Sequence, residues 1–115
     1  MWMPILGLVI GIFLGFLSSF NIDANISHYL AIALLAALDS IFGGIRARLE
    51  KNFENAVFIT GFFTNTLIAG LLTYLGDRLG VDLMLAATVT FGIRIFQNLS
   101  IIRRLVLKGK KTESL

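Results

Sequence analysis

Between Trp2 and Phe20 the chain carries no charged residue, and three later stretches come close to the same condition. A helix needs roughly 20 predominantly apolar residues to cross about 30 Å of hydrocarbon. Lipid offers no partner to an unpaired backbone group, so each N–H and C=O must be satisfied within the crossing element. His28–Ile45, Ala56–Leu75 and Val81–Arg103 approach the required length. The first of these is short and interrupted by Asp39, and the others hold Asn65 and Arg94. A chain of 115 residues, 57% hydrophobic and with a mean hydropathy of +0.85, has too little interior to hide such stretches from water. The pattern predicts an all-α membrane protein, a compact bundle of four transmembrane helices. Residues 1–107 form the membrane domain, and a short basic tail over 108–115 is expected to be disordered. The first stretch lacks a positive leading region and a small-residue cleavage site, so it reads as a retained helix rather than a signal peptide.

Local chemistry marks the boundaries. Asn25 or Ser27 can cap the second helix and Asp82 the fourth, each by accepting an orphan backbone N–H. Gly76 and Gly80 bracket a tight turn, with Gly76 read as the C-terminal cap. The segment Arg46–Asn55 has Leu49 and Phe53 at a helical spacing of four among charges. It reads equally as an interfacial helix or as a plain polar loop.

Positive charge sets the expected orientation. Arg46, Arg48 and Lys51 fall in the second connection, and Arg103, Arg104, Lys108, Lys110 and Lys111 follow the last span. Four spans put both clusters on one side, the cytoplasm of a multi-pass cell-membrane protein, with the C-terminus inside. Three spans also satisfy the rule if His28–Ile45 is re-entrant or interfacial. Eight of the ten basic residues thus flank membrane helices, so the +3 net charge implies contact with anionic lipid headgroups and not with nucleic acid. Arg46, Arg48, Lys51, Arg103 and Arg104 are the expected lipid or partner contacts. Trp2, Tyr29 and Tyr74 fit anchors at the membrane interfaces.

Whole classes of chemistry are missing. There is no cysteine and a single histidine, His28, so thiolate chemistry and a histidine-rich metal site are both excluded. No nucleophile–base pair, phosphate-binding glycine loop or acidic constellation is visible. No catalytic activity, metal or cofactor is expected.

Two features remain. Gly7, Gly11 and Gly15 form a doubled GxxxG row that Ser19 continues, and Ala36, Ser40 and Gly44 form a second small-residue row. A four-residue spacing puts each row on one stripe, where another backbone can approach closely. Packing within the chain and homo-oligomerisation both use such a face. The second feature is charge inside the spans. Asp39 lies about two turns before Arg46, roughly 10 Å inside the cytoplasmic edge, and Arg94 lies roughly 13–14 Å inside, counted from Arg103. A lone charge at such depth costs roughly 2.5–3.5 kcal/mol, so the matched depths predict an Asp39–Arg94 ion pair. Asn65, Gln97 and Asn98 are expected in the same polar layer. It reads as a clasp fixing helix register, or as an ion, proton or substrate path in a small transporter or channel. A third possibility leaves Arg94 reaching toward phosphates by itself.

Several strings in the chain resemble the small basic protein family of Gram-positive bacteria. They are Trp2-x-Pro4-x-x-Gly7-x-x-x-Gly11, Leu35-Ala36-Ala37-Leu38-Asp39, Gly43-Gly44-Ile45-Arg46-Ala47, Gly61-Phe62-Phe63 with Asn65, Leu79-Gly80-Val81-Asp82-Leu83, Phe91-Gly92-x-Arg94-x-Phe96-Gln97-Asn98 and Arg103-Arg104. That resemblance implies a multi-pass plasma-membrane protein of unknown biochemical function, with a hint of a cell-division or envelope role. It supplies no active site. A structural or interaction protein, with a membrane or cytoplasmic protein partner, is the reading that fits these features best.

Overall fold

The computed structural model describes residues 2–18, 21 and 23–113, apart from the side chains of residues 2, 24 and 110–113. Four helices follow one another: α1 Trp2–Leu17, α2 Ala24–Leu49, α3 Asn55–Leu79 and α4 Leu83–Glu113. No strand occurs among the described residues, as expected for an all-α protein. The expected continuation of the α1 glycine row at Ser19 and the anchoring side chain of Trp2 lie outside what is described.

Helix ends explain where the sequence boundaries shift. Asp23, not Asn25 or Ser27, is the N-cap of α2, its carboxylate accepting from the Asn25 N–H at 3.2 Å. The helix therefore begins about one turn earlier than its apolar run. It also ends later, because Arg46, Ala47 and Arg48 carry on the helix and Arg46 pairs with Glu50 one turn on. The Asn52 N–H then reaches the Ala47 carbonyl, the Lys51 N–H reaches the Arg48 carbonyl, and Lys51 sits at φ 64°. This is a Schellman C-cap with lysine where glycine is usual. Neither an interfacial helix nor a long polar loop forms, and residues 50–54 alone join α2 to α3.

The α3–α4 turn corrects the reading of Gly76. Gly80, at φ 71°, is the left-handed cap, while Gly76 is buried in the turn and accepts from the Val81 N–H at 3.1 Å. A Cβ on Gly76 would stand 2.6 Å from the Val81 carbonyl oxygen, so close backbone approach is what requires glycine there. Asp82 caps α4 as expected, accepting from the Leu85 N–H at 3.0 Å.

α3 packs antiparallel to α2, and α4 returns parallel to α2. Ile32, Ala36, Ala69, Ala87 and Phe91 form the core where the three meet, with Leu35, Leu72 and Met84 around it. These three helices are long and apolar enough to cross a membrane. His28–Ile45 forms no re-entrant hairpin, since that stretch is the middle of a continuous 26-residue helix. The short element is α1. Its 16 residues rise about 24 Å, less than the hydrocarbon thickness of about 30 Å. α1 stands to one side, across an apolar groove of about 350 Å³ where Pro4 and Leu8 face Ala37, Ile41, Phe58 and Phe62.

The outer surface of the bundle is apolar. Leu67 is 71% exposed and Phe96 75%, with Val57, Phe63, Leu71, Leu85 and Ile93 also open. A contiguous apolar face of this kind is untenable in water and ordinary in lipid. At its far end α4 continues as helix through Glu113. The expectation of disorder from Lys108 onward is thus not met over the described residues.

Candidate functional site

The parallel pairing of α2 with α4 lays their polar residues side by side in two tiers. In the upper tier Asp39, on α2, is completely buried and lies 3.4 Å through Oδ1 from Arg94 Nε on α4. Asn65 on α3 donates from Nδ2 to the other carboxylate oxygen, Oδ2, at 3.5 Å. All three helices therefore converge on one carboxylate. Both contacts are long, the Asp39 Oδ1 atom lacks hydrogen-bond geometry to any described group, and the buried Ser40 Oγ beside it likewise lacks a partner. The arrangement is a loose clasp rather than a tight bidentate pair.

The lower tier lies about two turns along α2 and one along α4. Arg46 donates from Nη1 to Asn98 Oδ1 at 3.2 Å, while its Nε holds Glu50 Oε1 at 2.9 Å. Asn98 is buried, and Gln97 stays exposed at the rim. Asp39, Asn65 and Arg94 are thus brought together as expected, but Asn98 joins Arg46 instead of that layer. Arg46, expected at the headgroups, is drawn into the bundle. Arg48, Lys51, Arg103 and Arg104 are exposed. The parallel course of α2 and α4 gathers them at one end, called here the basic end.

Two crevices open at this end and meet at Gly43, Ala47, Asn52 and Arg94. One, of about 370 Å³, runs between α2 and α4 past Arg46, Glu50, Gln97 and Asn98. The other, of about 260 Å³, descends between α2 and α3 from Asn52 and Glu54 to Asp39, Ser40 and Asn65. Its α3 wall carries Phe58 and Phe62, with ring centroids 6.5 Å apart. Its α2 wall is made of Ser40, Gly43, Gly44 and Ala47, small side chains that leave the slot open. Beyond Asp39 the slot stops at Ile32, Ala36, Ala69, Ala87 and Phe91, packed together in the opposite half of the bundle.

The small-residue rows separate. Ala36 is fully buried and Gly44 is buried, with Ser40 partly so, all inside the protomer. At Gly7, Gly11 and Gly15 a Cβ would meet nothing within 4 Å. The end of the bundle opposite the basic end has its own cluster, in which His28 Nε2 lies 3.5 Å from Asp77 Oδ2. There Arg78 donates to the Tyr74 hydroxyl at 3.1 Å and stacks over its ring.

A family model described as "Protein of unknown function (DUF1290)" matches residues 22–107. The chain belongs to the DUF1290 family. The match takes in α2, α3 and most of α4, the helices that build both polar tiers. A Bacillus subtilis relative named "Small basic protein" is 50% identical over 107 residues, covering 93% of this chain and 88% of its own. Uncharacterised proteins of Mycobacterium tuberculosis and Mycobacterium bovis are each 44% identical over 110 residues, covering 90% of this chain and 91% of theirs. No solved structure matches. The family's function is unknown and these relatives' names state no activity.

For this DUF1290 member the Arg46–Asn98 contact, not anticipated in the sequence, had a readable signal. Asn98 follows Arg94 by four, and Arg46 follows Asp39 by seven, so each lies on the same helical face as its predecessor. An Asp39–Arg94 contact between parallel helices therefore brings Arg46 and Asn98 together one tier on.

Proposed function

We propose that this chain is an integral plasma-membrane protein of structural or interaction type. In this reading it performs no catalysis, self-associates through α1, and presents its basic end to the cytoplasm, where a protein partner docks. The observation that carries the reading is the contrast between the two small-residue rows. The α2 row is consumed inside the protomer, whereas the α1 glycines face open space. Apolar helices gain nothing by leaving lipid for one another except through close packing, which a glycine row permits.

Förster transfer between donor- and acceptor-labelled full-length chains in lipid vesicles tests this. Gly11→Leu, which blocks the row without touching the bundle, is expected to lower self-association about tenfold, the effect of losing one well-packed helix contact. Equal transfer in the two proteins would remove the support for an α1 interface. The family resemblance suggests cell division or envelope assembly as the setting. Cross-linking in native membranes should then recover proteins of that machinery, and recovery of lipid and self-contacts alone would count against it.

The slot that reaches Asp39 favours a second reading, transport. Against it stands the close packing of Ile32, Ala36, Ala69, Ala87 and Phe91 beyond Asp39. Transport requires that packing to open. Water-soluble thiol reagents reaching a cysteine placed at Ala87 would support it.

A further inference from the structure

The crevice between α2 and α4 has a donor-rich lining that its own contacts do not use up. Arg94 spends Nε on Asp39, yet 51% of its side chain is exposed, and the two remaining guanidinium nitrogens carry four N–H donors. Asn98 gives its oxygen to Arg46, so its amide NH₂ is left as a donor. That nitrogen lies 3.7 Å from where a Cβ on Gly43 would stand, on the crevice wall. Gln97 and Asn52 add two more amides at the rim. Among the lining residues two guanidiniums face one carboxylate, that of Glu50, which is already held by Arg46 Nε at 2.9 Å. With Asp39 behind Arg94 and Glu50 on Arg46, each guanidinium has one carboxylate, and what the lining offers an anion is its unspent donors. An exposed guanidinium at this depth cannot face acyl chains without a large cost.

We propose that this crevice binds a phosphate oxyanion, with Arg94 and Arg46 as its clamp and Gln97 and Asn98 as supporting donors. The shape of the donor set selects phosphate over carboxylate. The donors come from two helices and from levels one turn apart, so they call for several acceptor oxygens in a tetrahedral array, not two in a plane. The crevice volume of about 370 Å³ accommodates such a group with room for the glycerol beyond it. Two sources supply this chemistry: the headgroup of an anionic phospholipid in the surrounding leaflet, and free phosphate.

Native mass spectrometry of the full-length chain released from detergent distinguishes them. The chain is exchanged into phosphatidylcholine alone or into an equal mixture with phosphatidylglycerol, and separately exposed to inorganic phosphate without lipid. Gln97→Glu puts a carboxylate on the crevice rim at an exposed position that tolerates it. Arg78→Gln removes an exposed charge at the opposite end of the bundle. Selective retention of phosphatidylglycerol is expected, weakened at least about tenfold by Gln97→Glu, the effect of one lost charge-assisted hydrogen bond. Arg78→Gln should change it by less than about twofold, the range of a surface charge. Retention of inorganic phosphate with the same variant pattern, but no preference between the lipids, would assign the site to a soluble phosphate. Equal retention by wild type and Gln97→Glu, or equal losses in the two variants, would overturn the proposal.

Discussion

Removing Arg94 should harm this protein more than neutralising Asp39, although each change breaks the same ion pair. Asp39 is fully buried among three helices, while 51% of the Arg94 side chain is exposed. Arg94→Leu leaves a buried carboxylate with one long amide contact in place of its counter-ion, and breaking a buried pair from one side costs about 3–5 kcal/mol. The long Asp39–Arg94 separation places the expectation near the lower limit, about 3 kcal/mol. Asp39→Asn keeps the shape and the Asn65 neighbour, and frees a guanidinium that can turn into the open crevice, so about 1 kcal/mol is expected. The double variant has no stranded charge and should also lose about 1 kcal/mol. The implied coupling of about 3 kcal/mol can be checked against Coulomb's law. At 3.4 Å two unit charges interact by about 5 kcal/mol at an effective dielectric of 20 and about 1 kcal/mol in water, which brackets that value. Equilibrium unfolding of the four proteins in mixed micelles, followed by circular dichroism as sodium dodecyl sulfate is raised, gives the cycle directly. A coupling below about 0.5 kcal/mol, the limit of ordinary additivity, would refute the clasp. Equal losses in the two single variants would refute the asymmetry argued from exposure.

The turns supply two further tests on the same assay. Gly76→Ala drives a Cβ to 2.6 Å from the Val81 oxygen and 3.0 Å from the Leu83 nitrogen, both backbone atoms, and should cost about 2–3 kcal/mol. Gly80→Ala meets no atom and is limited to the left-handed backbone penalty of about 1 kcal/mol. If Gly80→Ala proved the worse of the two, close approach would not be the reason for Gly76. Lys51 holds φ 64° as a non-glycine residue, so Lys51→Gly should raise stability by about 0.5–1 kcal/mol, and a loss would mean that its side chain makes a contact worth more than the strain.

Charge and hydropathy made the helices legible, and matched depth made the Asp39–Arg94 pair legible. Both depend on one element at a time, or on two elements compared at the same membrane level. The tier of Arg46 and Asn98 was hidden by the same reasoning. A basic residue near a span's end reads as a headgroup contact, and only the face-sharing of Asp39 with Arg46 reveals that it turns inward. The α2 cap is hard to place because Asp23, Asn25 and Ser27 all carry capping side chains ahead of the apolar run, and only the fold shows that Asp23 takes the role. Gly76 and Gly80 are both legible as turn glycines, but which one needs φ above zero and which needs space depends on where Val81 and Leu83 fold back. The surroundings of α1 are the least legible part. A glycine row packs equally well on a helix of its own chain or of another, since lipid gives neither contact a hydrophobic advantage.

The two halves of the bundle differ in kind, and that difference limits what the polar tiers can do. Toward the basic end, Gly43, Gly44 and Ala47 on α2 give no side chains large enough to fill the space between helices, and crevices result. Toward the other end, Ile32 and Phe91 fill that space against Ala36, Ala69 and Ala87. A ligand entering from the basic end reaches Arg94 and Asp39 and goes no farther while that packing holds. Binding there bears directly on the polar contact at Asp39 that joins all three long helices. An anion drawn to the free nitrogens of Arg94 shares its guanidinium with Asp39, so one side chain carries both contacts. Occupancy of the crevice and the stability of the α2–α4 pairing are therefore linked. Arg94→Lys, with a single ammonium in place of a fork, cannot serve both partners at once. It should separate the two effects: stability retained within about 1 kcal/mol through the Asp39 contact, with anion retention reduced about tenfold. A variant that kept both would show that Arg94 does not bridge them.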